Sequence, residues 1–287
     1  MKNIFHFEAM TTPCEVVIYL PNKEEAAKVA KEILIMTKAL EKKYNYFDEM
    51  SVVSQINSRE LQVIDMQTKD LLQRAKSFYT QTNGLFDITV ATLKPMFKLD
   101  TLDEVQSYKE CYTPYVGCDH FEIKKGKIVF DNPFTKIDLG GLVKEYAVDK
   151  AVEILKKRKI KSALVNFGGD LYALGKKPDG EAFKIGIKNP INPAVNLMYV
   201  DLCDAALTTS ADYERHYRIQ ERQFSHIISK QEQSRKLLSA TVISHSAVIS
   251  GVFSTALMIE SSLKIPYQTF TITDTLDVVT RNVVSIR

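Results

Sequence analysis

Residues 136–180 read KIDLGGLVKEYAVDKAVEILKKRKIKSALVNFGGDLYALGKKPDG. Apolar residues at helical spacing predict a helix over Tyr146–Lys157, and the apolar run Ser162–Asn166 predicts a buried strand. The pair Gly140-Gly141 lies before the helix and the pair Gly168-Gly169 lies after it. Glycine allows a backbone turn at positive φ or the close approach of a ligand. The stretch therefore predicts a helix between two glycine turns, either of which could face a ligand.

Lys144 follows the first glycine pair within one helical turn. Exposed backbone amides and a cation both favour an anion, so this arrangement suits a phosphate group. The alternative is a pair of tight turns beside a solvated lysine. One glycine pair by itself favours that alternative, so the rest of the chain has to decide.

The remaining sequence mixes helical and strand patterns. Helices are predicted at Lys23–Tyr44, Lys69–Asn83 and Val248–Glu260, a β-hairpin at His120–Phe130, and strands at Cys14–Leu20, Phe183–Ile187, Met198–Leu202, Leu237–Ile243 and Thr269–Ile272. Because helices and strands do not alternate strictly, the pattern favours an α+β fold over a doubly wound one. The length of 287 residues allows one large domain or two subdomains, with a possible boundary near residue 135.

Composition excludes several classes of function. The net charge of +3 is too small to indicate nucleic-acid binding. No window reaches the roughly 18 apolar residues of a membrane span, and the N-terminal MKNIFHFEAM has no secretory pattern. The four cysteines form no CxxC pair, so we expect reduced thiols and no zinc site. These observations together predict a cytoplasmic globular protein.

Eight short motifs occur in a fixed order along the chain. They are AMTTP at residues 9–13, SVVSQIN at 51–57, GLFDIT at 84–89, IDLGGLVKEYAVD at 137–149, VNFGGDLYALGKKPDG at 165–180, TTSADY at 208–213, HII at 226–228 and STAL at 254–257. Each motif alone is weak, but eight in order are specific. The chain resembles the FAD:protein FMN transferase (ApbE-type flavin transferase) family.

The resemblance implies an α+β fold with mixed sheets and packed helices in two intimately associated subdomains, forming a single domain over residues 1–287. It implies that FAD is split at its pyrophosphate and that FMN is esterified onto a Thr or Ser hydroxyl of a partner protein, such as a flavoprotein subunit or a reductase. Phosphoryl transfer of this kind depends on positioning and on neutralising charge, and it calls for Mg²⁺ and a proton acceptor.

The resemblance also assigns residues to roles. It places FAD against Met10, Leu85, Phe86, Asp87, Asp138, Lys144 and Ile228, and the metal against the carbonyl of Gly141, Ser254 and the hydroxyl of Thr255. His226 matches the histidine that assists catalysis. An aromatic ring at Tyr46 or Phe47 is expected to pack on a ring of FAD.

Departures from the family pattern bear on the metal. The family has an aspartate three residues before the S-T-A-L run, and this chain has Gly251 there. We therefore expect weak metal binding, which Gly251→Asp should restore. Glu145 replaces a family glycine beside the expected phosphates, Thr11 replaces a glycine in the opening motif, and Ser229-Lys230-Gln231 replaces the conserved residues after the histidine motif.

Each candidate also has an ordinary structural explanation. His226 could be a hydrogen-bonded residue at a strand end, Asp170 a turn cap, and Phe86 and Met10 core residues. Thr255 could bond back to its own helical turn. Three functions remain open from the sequence: a working transferase, an FAD-binding protein with weak or lost transferase activity, and an FAD pyrophosphatase.

Overall fold

The computed structural model describes residues 1–211, 216–225, 227–230 and 237–282. The α-helices are α1 (Lys23–Tyr44), α2 (Val52–Asn57), α3 (Met66–Gln81), α4 (Leu102–Tyr112), α5 (Gly140–Lys157) and α6 (Ala247–Ile259). The strands are β1 (Lys2–Ala9), β2 (Thr12–Tyr19), β3 (Phe121–Lys124), β4 (Lys127–Phe130), β5 (Ala163–Phe167), β6 (Asp170–Leu174), β7 (Phe183–Lys188), β8 (Asn196–Leu202), β9 (Ala205–Ala211), β10 (His216–Ile219), β11 (Arg222–Ser225), β12 (Leu237–Ser244), β13 (Gln268–Thr273) and β14 (Val278–Arg281). Segments of 3-10 helix cover Ile88–Lys98, Thr113–Tyr115 and Cys118–His120.

Eight strands form the central sheet, in the order β1-β2-β5-β6-β9-β12-β13-β14. Neighbouring strands in this sheet are antiparallel throughout the described residues. The hairpins β3-β4, β7-β8 and β10-β11 lie outside it. Together with the helices, this arrangement confirms the predicted α+β fold.

Helices α1, α5 and α6 pack together and against the central sheet. Strand β6 is buried along its whole length because it is covered on both faces. Its Tyr172 belongs to the main core, whereas Leu171 and Ala173 pack with Phe183 of the β7-β8 hairpin. The helices and this hairpin therefore form layers on opposite faces of the sheet.

In the sequence, a second group of elements lies between α1 and α5. Its centre is the 3-10 segment Ile88–Lys98, whose Leu93 and Met96 pack with Val105 of α4. The ring of Phe97 stacks on that of Tyr217 with centroids 3.9 Å apart, which joins this group to the β10-β11 hairpin. The group meets the start of α5 where the N–H of Asp138 donates to the carbonyl of Ile88 at 2.9 Å.

The predicted helix Lys23–Tyr44 is confirmed, with Asn22 as its N-cap accepting a hydrogen bond from the N–H of Glu25. Helix α5 begins at Gly140, six residues earlier than predicted, so the first glycine pair lies inside the helix and not before it. Its glycines do not adopt positive φ, whereas Gly168 and Gly169 do, at +63° and +97°. Helical propensity alone missed this first turn because glycine is a poor helix former.

Strands β1, β6 and β9 were not predicted as strands from periodicity, nor were α4 and the 3-10 segment. Strand β6 lacks polar alternation since both of its faces are buried. Across the described ranges, no helix combines the length and apolar character needed to cross a membrane.

Candidate functional site

Two hairpin tips meet at one end of the central sheet. Met10 and Thr11 form the tip of β1-β2 with φ values of +53° and +58°, and Gly168-Gly169 forms the tip of β5-β6. The N–H of Gly168 donates to the carbonyl of Pro13 at 3.0 Å, and a side chain at position 168 would collide with Thr12. Glycine is therefore required at Gly168 by both its backbone conformation and its close approach. Thr11 holds a left-handed conformation that a β-branched residue rarely adopts.

The N-terminus of α5 opens at the same end of the sheet. Gly140 and Gly141 are exposed, so the first helical turn presents bare backbone. Asp138 accepts a hydrogen bond from the N–H of Gly140 at 2.8 Å. A Cβ atom on Gly141 would lie 3.8 Å from Cε2 of Phe86, so this ring borders the helix end. An exposed helix N-terminus attracts anions through its backbone donors and its dipole.

Lys94 joins this helix end to two aromatic rings. Its ammonium pairs with Oδ2 of Asp138 and lies 4.4 Å from the ring centroid of Tyr46 and 5.6 Å from that of Phe47. Burial, and secondarily the charge of Asp138, raise the pKa of Tyr46 to about 12. The Phe47 side chain is 80% exposed and free to cover a ligand ring. Sequence reasoning missed Lys94, whose one signal is a lysine inside the apolar stretch VATLKPMF.

Lys144 forms an ion pair with a buried carboxylate. Its Nζ lies 2.5 Å from Oδ2 of Asp170, whose side chain is 3% exposed. Burial raises the pKa of Asp170 against the opposing charge of Lys144. Asp170 is thus not the turn cap that the ordinary explanation supposed, because Asn166 Oδ1 accepts the hydrogen bond from Gly169 N–H. Lys144 is held at the edge of the α5 N-terminus.

Glu145 is buried beside this pair. Burial and the neighbouring Asp170 charge raise the pKa of Glu145 to about 8. Its Oε2 has no hydrogen-bond partner among the residues that the structure describes. Its Cγ lies 2.6 Å from the position that a Cβ on Gly251 would occupy. The side chain of Glu145 therefore fills the space above Gly251.

Helices α5 and α6 run antiparallel with a register set by Asp149. Its carboxylate accepts hydrogen bonds from the N–H groups of Ala247 and Val248, at 2.8 and 3.3 Å. One turn earlier on α5, Glu145 meets Gly251. Because residues four apart share a helix face, the next turn brings Gly141 level with Thr255.

Three hydroxyl groups gather at that level. Ser210 Oγ lies 2.8 Å from Ser254 Oγ and 3.1 Å from Thr255 Oγ1, and Ser254 Oγ donates to the carbonyl of Gly251 at 3.0 Å. It is Ser254 that bonds back within α6, while Thr255 contacts β9. Within the described ranges, no group of three or more His, Cys, Asp or Glu side chains could hold a metal.

The donor set nevertheless fits a Mg²⁺ ion that completes its shell with substrate phosphates and water. Mg²⁺ prefers oxygen ligands, keeps several waters and uses one or two carboxylates. Hydroxyl oxygens lie at Ser210 and Thr255, and a buried carboxylate oxygen of Glu145 lacks a partner one turn away.

The other predicted site residues are placed differently. Asp87 turns inward, where its Oδ1 accepts from the N–H and hydroxyl of Thr89 at 2.7 and 2.6 Å. Leu85 packs against Ala256 of α6, and Ile228 joins the apolar cluster around the 3-10 segment. His226 lies outside the described residues.

The structure thus brings several predicted residues to one end of the sheet: Met10, Phe86, Asp138, Gly141, Lys144, Ser254 and Thr255. Their roles toward FAD and metal stay predictions. An exposed helix N-terminus with a nearby lysine and flanking aromatic rings is suited to a phosphorylated aromatic ligand. The fold and this site define an α+β protein with an exposed helix N-terminus beside a lysine and aromatic rings.

The sequence model of the ApbE family matches residues 10–267, and the chain belongs to this family. The FAD:protein FMN transferase of Vibrio cholerae is 25% identical over 228 residues, covering 75% of this chain and 67% of the relative. That of Chlamydia muridarum is 23% identical over 271 residues, covering 89% and 84%.

Solved structures agree in fold. The ApbE protein of Thermotoga maritima superposes with a TM-score of 0.86 at 24% identity, covering 98% of this chain and 97% of that one. The flavin transferase ApbE of Vibrio cholerae gives 0.80 at 20% identity, covering 97% and 95%. The resemblance from motifs is therefore confirmed at the level of family and fold.

Proposed function

We propose that this chain is an FAD:protein FMN transferase, which moves FMN from FAD to a Thr or Ser hydroxyl of a partner protein. The proposal is supported by the relatives, which carry that name over most of the chain's length. The observation that carries it is the exposed Gly140-Gly141 turn of α5, which has Phe86 on one side and Lys144 within reach of the same helix end.

The diphosphate of FAD would lie at this helix end. The N–H groups of Gly140, Leu142 and Val143 already donate within the chain, so the N–H of Gly141, the helix dipole and the ammonium of Lys144 would attract its oxygens. Asp138 is fixed by Lys94 and by the N–H of Gly140, so it can accept a hydrogen bond from a donor on FAD. The exposed Phe47 offers an apolar face for a ring system, whereas Phe86 is buried in the main core and supports the helix end from inside.

The reaction exchanges the phosphoanhydride bond of FAD for a phosphate ester bond to the acceptor. The acceptor hydroxyl oxygen forms a bond to the phosphorus of the FMN half, and the bond from that phosphorus to the bridging oxygen breaks. AMP leaves with the bridging oxygen, and the hydroxyl proton passes to a base, a role proposed for His226. A bound Mg²⁺ would neutralise the charge on the phosphates. Its proposed holders are the carbonyl of Gly141 and the hydroxyls of Ser254 and Thr255.

The partner would be a flavoprotein subunit or a reductase that offers the acceptor hydroxyl. We propose a cytoplasmic location because all four cysteines are free thiols, which suits a reducing compartment.

The test is to incubate the purified protein with FAD, Mg²⁺ and a peptide-tagged acceptor protein, and to record the mass of the acceptor. An FMN-sized gain supports the transferase. Release of FMN and AMP with no mass gain would identify an FAD pyrophosphatase, and FAD binding with neither product would identify a flavin-binding protein. The absence of saturable FAD binding at high micromolar concentration would overturn all three.

A further inference from the structure

Two departures from the family pattern, far apart in sequence, touch each other in the structure. The resemblance to the family implies glycine at position 145 and aspartate at position 251, whereas this chain has Glu145 and Gly251. The Cγ of Glu145 lies 2.6 Å from the position of a Cβ on Gly251, and its Cδ and Oε1 both lie 3.1 Å from it. The carboxyl group of Glu145 therefore occupies the space into which a side chain at position 251 would extend.

The exchange preserves the number of carboxyl groups across the α5–α6 contact. With Glu145 placed as it is, a side chain at position 251 would require that of Glu145 to move, because carbon atoms do not approach within 3.0 Å of each other. Glycine at position 251 is a poor residue for a buried helix interior, so a packing reason is needed for it. That reason is the side chain of Glu145.

The side chain of Glu145 points toward the end of the α5–α6 contact where the hydroxyl groups of Ser254 and Thr255 lie. Side chains on an α-helix lean toward its N-terminus, so Glu145 leans toward the turn that contains Gly141. In the antiparallel register set by Asp149, that turn is level with Thr255, whose hydroxyl contacts Ser210. The turn toward which Glu145 leans is therefore the one that faces the hydroxyls of Ser254 and Thr255 on α6.

The neighbouring acid is already engaged. Asp170 pairs with Lys144 at 2.5 Å, and the carboxyl group of Glu145 lies beside Asp170, whose charge and side-chain hydrogen bond add to burial in raising the pKa of Glu145. Within the described residues, Oε2 of Glu145 and Oδ2 of Asp170 are both buried without a hydrogen-bond partner, and of the two only the Asp170 oxygen is in an ion pair with Lys144. A buried polar atom left without a partner costs free energy, and in native proteins it often marks a missing ion or water. Glu145 is therefore the carboxylate available to a cation at this end of the helices.

We propose that Glu145 supplies the carboxylate ligand of the divalent cation in this chain, in place of the acid that the resemblance implies at position 251. The inference rests on the proposed function for the presence of a cation, and it replaces the expectation that Gly251 leaves the metal site without a charged protein ligand.

The test measures cation binding directly. Mn²⁺ is titrated into the protein, with and without FAD, and free Mn²⁺ is followed by electron paramagnetic resonance. Glu145→Gln keeps the size of the side chain but removes its charge. Glu153→Gln is the matched control, since Glu153 lies on the same helix and pairs only with surface Lys150. The double variant with Glu145→Gly and Gly251→Asp returns the carboxylate to α6.

We expect the unmodified protein and Glu153→Gln to bind Mn²⁺ equally well. Glu145→Gln should bind at least about tenfold more weakly, because losing a ligand should cost no less than losing a group that merely orients one. The double variant should regain much of the affinity. Thermal unfolding of each variant separates loss of binding from loss of fold, and Glu145→Ala serves if Glu145→Gln fails to fold.

Two results would overturn the inference: Mn²⁺ affinity in Glu145→Gln equal to that of the unmodified protein, or no Mn²⁺ binding by the unmodified protein. The transfer assay is separate. If FMN is transferred and Mn²⁺ affinity does not change on substitution of Glu145, the proposed function is retained and the role of Glu145 as a ligand is rejected. If Mn²⁺ binding depends on Glu145 but no FMN is transferred, the role of Glu145 as a ligand is retained and the proposed function is rejected.

Discussion

Asp149 on α5 caps the first turn of α6 through the N–H of Ala247. The hydrogen bond is 2.8 Å long, and the second carboxylate oxygen accepts from the hydroxyl of Ser246 at 2.6 Å. A single side chain thereby satisfies helix-end donors and fixes the register of two buried helices. The site depends on this register, since it brings Glu145 against Gly251 and Gly141 level with Thr255.

Asp149→Ala should lower the free energy of unfolding by about 1–3 kcal/mol, because it removes both a helix cap and several hydrogen bonds to a charged group. Urea denaturation followed by circular dichroism measures the change. Glu153→Ala, one turn further along α5, should leave stability within about 0.5 kcal/mol of the parent because it is a surface substitution. Equal effects of the two substitutions would contradict the cap.

Gly251→Ala should destabilise the protein by about 1–3 kcal/mol, although alanine is the better helix former, because the new Cβ would lie 2.6 Å from Cγ of Glu145. Combining it with Glu145→Gly should remove the penalty. Both are measured by denaturant unfolding. A stabilised Gly251→Ala protein would show that Glu145 moves aside freely. The same collision means that Gly251→Asp alone should not restore a metal site, contrary to the expectation from sequence.

Lys144→Ala should weaken FAD binding by about 1–3 kcal/mol, the range of a hydrogen bond to a charged group. It should also lower stability, contrary to the ordinary view of a solvated lysine, because it leaves the buried Asp170 carboxylate unpaired.

Adding Asp170→Asn to Lys144→Ala should recover stability but not FAD affinity, since only the first defect arises from the unpaired acid. Calorimetric titration with FAD and thermal unfolding separate the two effects. If FAD binds to Lys144→Ala as it does to the parent, the phosphate role of this lysine is wrong.

Asp87 should make stability depend on pH. Burial raises the pKa of Asp87 above 3.8, against the opposing hydrogen bonds from Thr89. The folded protein therefore holds this proton more tightly than the unfolded chain, so the contribution of the carboxyl to stability is fully present below pH 3.8 and is lost as the pH rises through the folded pKa.

Asp87→Asn isolates this contribution because the amide oxygen can still accept from Thr89. The unfolding free energy of the parent minus that of the variant should fall as the pH rises above 3.8 and then level off. Urea midpoints at a series of pH values measure it. A difference that grows with pH would show instead that the folded protein favours the charged carboxylate.

The sequence by itself determined the family, the α+β class and most helices and strands. Lys23–Tyr44 was placed correctly because its apolar periodicity and its Asn22 cap are local signals. The order of the eight motifs likewise predicted the family, because it can be seen in the sequence without a structure. Strand β6 was not predicted because both of its faces are buried, so its residues do not alternate between apolar and polar. The first turn of α5 was not predicted because its two glycines carry no apolar side chains at helical spacing.

Only the tertiary structure decided which of these residues meet. Sequence showed Glu145 and Gly251 as two unrelated departures, and it gave no reason to connect them across more than a hundred residues. The antiparallel packing of α5 on α6 places them in contact, because the side chain of Glu145 occupies the space that a side chain at position 251 would enter. Likewise Lys94 gained a place at the site only when its segment folded against Asp138. Helix and strand propensity depends on residues that are neighbours in the sequence. Steric contacts and charge pairs between distant residues depend on distances that exist only in the folded chain.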